Sequence, residues 1–145
     1  MKFLAYLIPL CILASSCGAT QREKVKTALD ASQGVLIAAD LLVRAAESNY
    51  NFETVDDLKA IIDIKEGLLF AAESLQTAYE ILESNPDSAL EHVACAVPIL
   101  ERVYVRIQKF GIEKSKYVSE ALDIARSYTK GVSCPTIYTP TIIFE

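Results

Sequence analysis

The stretch from Asn85 to Gly111, NPDSALEHVACAVPILERVYVRIQKFG, decides the fold class. It opens with a capping residue followed by Pro86 at the first helical position, which is a strong signal for a helix start. Apolar residues then recur at the three-and-four spacing of one helix face, and Gly111 supplies a stop. Pro98 interrupts the pattern and predicts a kink near residues 94–97. The apolar positions are Ala89, Val93, Ala96, Leu100, Val103, Tyr104, Ile107 and Phe110.

Two segments before this stretch carry the same helical period. The first is predicted to begin at Thr20, where the run Thr-Gln-Arg-Glu fits a capping box, and to end at about Ser48. The second is predicted to begin at the cap Thr54, which two acidic residues follow, and to end at about Glu83. Their apolar stripes predict a core that includes Leu36 and Leu69, together with Leu100 of the third segment.

These two segments also match each other. Residues 30–40 align with residues 63–73, 33 positions further on, so that Gly34 matches Gly67. The match indicates either two related helices or two helices of convergent composition. Small residues beside both glycines favour a close approach of the first two helices. The alternative is a groove for a ligand or a partner helix.

After Gly111 the pattern predicts a fourth, shorter helix from Glu113 to Lys130, which Gly131 ends. Two prolines and a β-branched run favour an extended tail over residues 132–145. The predicted fold is therefore all-α: an antiparallel bundle of three to four helices over residues 20–131 with an extended C-terminal tail. Whether the third and fourth helices are one kinked helix stays open at this point.

Charge is unevenly distributed along the chain. Residues 47–91 hold eleven acidic residues against Lys59 and Lys65, and residues 101–130 hold seven basic residues against four acidic ones. This asymmetry fits pairing between neighbouring helices, and it also fits an acidic face for a basic partner. The net negative charge argues against a nucleic-acid partner, which requires a basic footprint.

The first seventeen residues, MKFLAYLIPLCILASSC, have the layout of a secretory signal peptide. Lys2 precedes an apolar run that is too short to span a bilayer. The end, Ala-Ser-Ser-Cys at 14–17, resembles the lipobox of bacterial or phage-encoded lipoproteins, although the family usually has Leu where this chain has Ala14. The resemblance covers the leader only. It implies a signal peptide at 1–16, lipidation of Cys17 and a tether at 17–19, while ordinary secretory cleavage after Ser16 remains open.

The cysteine count fits the same interpretation. Cys11 would leave with the leader and Cys17 would carry lipid, so Cys95 and Cys134 would remain as an even pair in an oxidising compartment. If the chain folds back at Gly111, the fourth helix ends roughly level with Cys95. A hairpin and a disulfide between Cys95 and Cys134 are therefore predicted together. The alternative is that Cys95 is a small apolar core residue.

Candidates for chemistry are few. His92 and Cys95 lie three residues apart on one helix, but a closed zinc site needs four ligands and only Cys134 is an obvious third. No nucleophile with an orienting base and no glycine-rich phosphate loop is present in the sequence. We therefore expect no catalytic residues, no metal and no cofactor. A hydrolase that uses His92 is the weakest of the hypotheses.

The leading hypothesis is a non-catalytic binding or structural module in the cell envelope, which contacts an envelope protein or itself. The membrane would be reached through the lipid on Cys17. Gly18, in place of Asp, resembles the outer-membrane sorting class, which implies a position facing the periplasm. The alternative is a small inhibitor or exclusion lipoprotein that blocks another envelope or phage protein.

Overall fold

The computed structural model describes the backbone of residues 7–135 and the side chains of residues 21–135. Four helices follow one another: α1 (Leu7–Asn49), α2 (Val55–Ile81), α3 (Pro86–Ile107) and α4 (Lys116–Thr129), with a short 3₁₀ turn, Gln108–Phe110, after α3. Residues 7–135 contain no strand. The all-α prediction is confirmed, and α3 and α4 are two separate helices.

Local sequence signals set the starts of α2 and α3. The Thr54 hydroxyl accepts a hydrogen bond from the Asp57 N–H at 3.1 Å, and the Asn85 side chain accepts one from the Ser88 N–H at 3.1 Å. Each bond satisfies a backbone donor that has no partner inside the helix. Gly111 and Gly131, with φ of 77° and 80°, follow α3 and α4 in the left-handed conformation that glycine adopts without strain. These four boundaries are where the sequence predicted them.

Two predicted helix starts are wrong. Thr20 is not a cap, because α1 begins at Leu7 and runs through it. No proline lies between Pro9, in the first turn of α1, and Thr20, so the helical hydrogen bonds continue. The fourth helix starts at Lys116 rather than Glu113, because the Ser115 hydroxyl accepts from the Val118 N–H and caps it. Residues 132–135 have no regular structure, and residues 136–145 of the predicted tail lie outside the described residues.

Ion pairs show that successive helices run antiparallel. Glu47 near the end of α1 pairs with Lys65 in α2, and Arg22, much earlier in α1, pairs with Glu83 just past α2 at 2.9 Å. Arg106 joins α3 to Asp63 of α2 at 3.1 Å. Helix α1 also packs against α3 and α4. The Arg106–Asp63 pair thus joins the basic segment of the sequence to the acidic one.

The turn between α3 and α4 is fixed by two contacts. The buried Tyr104 hydroxyl accepts a hydrogen bond from the Ser115 N–H at 2.5 Å and donates one to the Ser115 carbonyl at 3.1 Å. Further along, Arg126 of α4 contacts Glu101 of α3 at 2.6 Å, and this hydrogen-bonded carboxylate raises the pKa of the Arg126 guanidinium. Together the contacts fold α4 back along α3.

Leu100 lies in the core, as predicted. The predictions for Leu36 and Leu69 are not confirmed in full. Leu36 is half-buried and Leu69 is exposed, so the prediction for Leu69 is wrong. Helix α2 is apolar on two adjacent lines, and the helical period alone does not say which line faces inward. The residues of α2 and its end that pack into the core are Ile61, Ile64, Leu68, Ala71, Leu75, Ala78 and Leu82.

Candidate functional site

An apolar groove of about 490 Å³ lies between α1 and α2 and is open to solvent. Three of its large apolar side chains, Ile37, Leu41 and Leu69, are 61–63% exposed. An isolated exposed leucine is ordinary, but several on one groove form the kind of surface that proteins use to bind one another. The lining residues are Leu36, Ile37, Asp40, Leu41, Lys65, Leu68, Leu69 and Ala72.

The two matching segments of the sequence supply both walls of this groove. Leu36 and Ile37 come from residues 30–40, and Leu68 and Leu69 come from residues 63–73. Among the lining residues, only Leu36 and Leu69 occupy matching positions, and Leu36 is half-buried whereas Leu69 is exposed. The groove was the less favoured of the two sequence interpretations for these segments.

Gly34 does not serve a close approach of α1 to α2, as the sequence had suggested. A Cβ atom at this position would lie 3.0 Å from the hydroxyl oxygen of Tyr117 in α4. The missing side chain therefore gives Tyr117 room to lie across α1. Gly67, its counterpart on α2, is buried.

The apolar surface of α2 continues from the groove toward the start of the helix. Leu58 and Ile62 are both exposed, and their spacing from Leu69 puts the three side chains on one line of the helix. This line is about 16 Å long at 1.5 Å per residue, or roughly three helical turns. The exposed apolar surface is thus elongated, with the dimensions of a helix-binding seam.

An acidic row begins beside Leu69 and continues along α2 past the groove toward the end of the helix. Glu66, Glu73 and Glu80 are exposed and repeat every seven residues, so they lie along one side of α2. By helical geometry the row flanks Leu69 on the side away from α1, because the groove-lining Lys65 and Ala72 lie on its other side. Glu80 accepts a hydrogen bond from Gln76 at 2.9 Å. The groove therefore has an apolar floor and an acidic margin on α2.

The α1 side of the groove is close to neutral. Arg44 pairs with Asp40 at 2.9 Å one turn away, and the Glu47–Lys65 pair connects the two helices near the turn. Charges that are paired contribute little net potential to the surface. The net negative charge of the groove therefore lies on its α2 side.

The structure brings Cys95 and Cys134 together as predicted. Their Sγ atoms lie 2.04 Å apart and their Cα atoms 4.8 Å apart, across 39 residues of sequence. Cys95 lies in α3, and Cys134 follows the end of α4 after Gly131. The bond links the segment after α4 to the middle of α3, which is the hairpin arrangement that the sequence required.

The other candidates for chemistry are placed differently. His92 is buried on α3. Cys95 is bonded to Cys134, so its sulfur is not a thiolate that could bind metal or attack a substrate. Among the described residues, no three His, Cys, Asp or Glu side chains gather in a way that could hold a metal ion. Cys17 lies within α1, and its side chain is outside the described residues.

Within residues 7–135, no helix combines the length and the apolar character that crossing a membrane requires. The chain matches no protein family, and comparisons with curated proteins and with solved structures give no match. Only the surface of this chain and the pattern of its first seventeen residues therefore bear on its function.

Proposed function

We propose that the protein is an envelope lipoprotein, held to the membrane through Cys17, that acts as a non-catalytic binding module. In this proposal the bundle is a rigid scaffold, and the α1–α2 groove is the surface that meets an envelope partner.

The observation that carries the binding role is the exposure of Ile37, Leu41 and Leu69 on one groove. A chain with a well-filled core, in which residues such as Leu29 and Leu100 are fully buried, has no need to leave these side chains in water. Because each of them is 61–63% exposed, covering it with a partner would contribute about 1–2 kcal/mol. The groove therefore favours binding over a purely structural role.

Two features support a location in the cell envelope. The leader resembles that of bacterial lipoproteins up to Cys17. The geometry of Cys95 and Cys134 suits a disulfide, and disulfides persist in secreted and envelope compartments while they are rare in the cytosol. The two features are independent, because one lies in the leader and the other in the folded bundle.

Metabolic labelling with palmitate tests the anchor. We expect the wild-type chain to incorporate label and to fractionate with membranes, and the Cys17→Ser variant to lose both, because the thiol is the acceptor of the lipid. Cys11→Ser is the matched control, since Cys11 would be removed with residues 1–16. Equal labelling of the wild type and Cys17→Ser, or loss of label in Cys11→Ser alone, would contradict the lipoprotein proposal.

A further inference from the structure

We propose that the α1–α2 groove binds one amphipathic helix of a partner protein, and that this helix carries a row of basic residues spaced about seven apart. This inference rests on the proposed binding function and names the chemistry of its partner. It follows from the shape of the groove and from the position of its charges.

The shape of the groove suits a helix. Two antiparallel helices leave a channel between them, and a third helix fills such a channel by placing its apolar residues between the side chains of the first two. Across the groove from Leu69 lie Ile37 and Leu41 on α1, and Leu58 and Ile62 extend the apolar surface along α2 beyond the groove. A groove-bound helix would contact both walls over roughly one to two turns, and would meet Leu58 and Ile62 on α2 alone.

The charges define the partner further. Glu66 and Glu73 flank the groove-lining residues of α2, and Glu80 continues the row seven residues further; helices in a coiled coil place the charges that select their partners at such flanking positions. A bound helix presents its own flanking residues at the same period of about seven. Lysine or arginine at those positions would face the acidic row, and aspartate or glutamate there would be repelled.

The same row disfavours two other occupants. In a symmetric dimer the same patch occupies both sides of the interface, which would bring two rows of Glu66, Glu73 and Glu80 into one contact region. An anionic lipid surface would meet the same negative charges, whereas surface-binding helices are usually basic on their polar face. A basic helix is the occupant that both the apolar floor and the acidic margin favour.

Two synthetic helical peptides test the charge match on the purified full chain. Both have the same leucine stripe, and one carries lysine and the other glutamate at every seventh flanking position. We expect fluorescence anisotropy to show the lysine peptide binding about tenfold or more tightly than the glutamate peptide. The triple variant Glu66→Lys/Glu73→Lys/Glu80→Lys should reverse this preference. Equal binding of the two peptides, or a preference that survives the charge reversal, would overturn the proposal.

A matched pair of variants tests whether the peptide binds in the α1–α2 groove. Leu69→Ser is expected to weaken binding of the lysine peptide by about tenfold or more, whereas Val105→Ser, an equally exposed site on α3, should leave it unchanged. Ile37→Ser on the opposite wall repeats the test in case Leu69→Ser fails to fold, which thermal melting reports. Unchanged binding in both groove variants would overturn the proposal.

Sedimentation of the wild type and Leu69→Ser tests the competing occupant. We expect both to be monomers at the concentrations of the binding assay. A dimer that Leu69→Ser abolishes would assign the groove to a second copy and overturn the basic-helix proposal. Palmitate labelling is independent of these assays, so loss of the peptide preference would leave the proposed tethering standing.

Discussion

Replacing Leu100 with Ala is expected to lower the free energy of unfolding by about 2–5 kcal/mol. Leu100 is 0% exposed and lies in the second half of α3, the helix that contacts each of the other three. Its truncation removes apolar contacts and leaves a cavity that the surrounding helices can fill only in part. Denaturant unfolding followed by circular dichroism measures the change as a lower midpoint with an unchanged slope.

Leu69→Ala is the control, because it makes the same chemical change at a leucine that the sequence pattern also predicted to be buried. Leu69 is 63% exposed in the structure, so its truncation should change stability by no more than about 0.5 kcal/mol. Equal losses for the two variants would mean that the line through Leu69 faces inward.

Removal of the Cys95–Cys134 bond is the second large effect that we expect. The bond closes 39 residues of chain, and the chain-entropy relation gives a stabilisation of about 4 kcal/mol for a loop of this length. The double variant Cys95→Ala/Cys134→Ala, compared with the oxidised wild type in denaturant, should show a loss of up to that size. The effect arises mainly from the greater freedom of the unfolded chain without the cross-link.

Thiol counting provides the control for this result. In a Cys11→Ser/Cys17→Ser background, the unfolded chain should show no reactive thiol before reduction and two after it. Two reactive thiols before reduction would contradict the bond. A reduced wild type as stable as the oxidised one would contradict its expected contribution to stability.

Features that depend on a few neighbouring residues could be predicted from the sequence. Thr54 and Asn85 cap their helices through bonds that span three residues, so the local sequence contains the whole signal. Thr20 carries a similar local signal and yet lies inside α1, because a cap forms only where the preceding residues leave the helix. The start of α1 therefore depended on residues outside the capping box.

Which face of α2 is buried could not be predicted in the same way. Leu68 and Leu69 are adjacent and equally apolar, and only the packing of α2 against α1 and α3 decides that Leu68 turns inward. The groove and its acidic margin depend on this choice, because Glu66 and Glu73 flank the line through Leu69. The disulfide was predictable, since helix lengths and one turn fix the distance between its two cysteines.

Photocrosslinking in living cells tests the proposed binding function most directly. A photoreactive benzoylphenylalanine at position 69 would lie on the groove, and one at position 105 would lie on an equally exposed site of α3. We predict that position 69 gives one discrete crosslinked species in the envelope fraction, that position 105 gives none, and that the Glu66→Lys/Glu73→Lys/Glu80→Lys changes abolish it. A second groove probe at position 37 repeats the test on the α1 wall. Crosslinking at position 105 but at neither groove position would contradict the claim that this protein binds its partner through the α1–α2 groove.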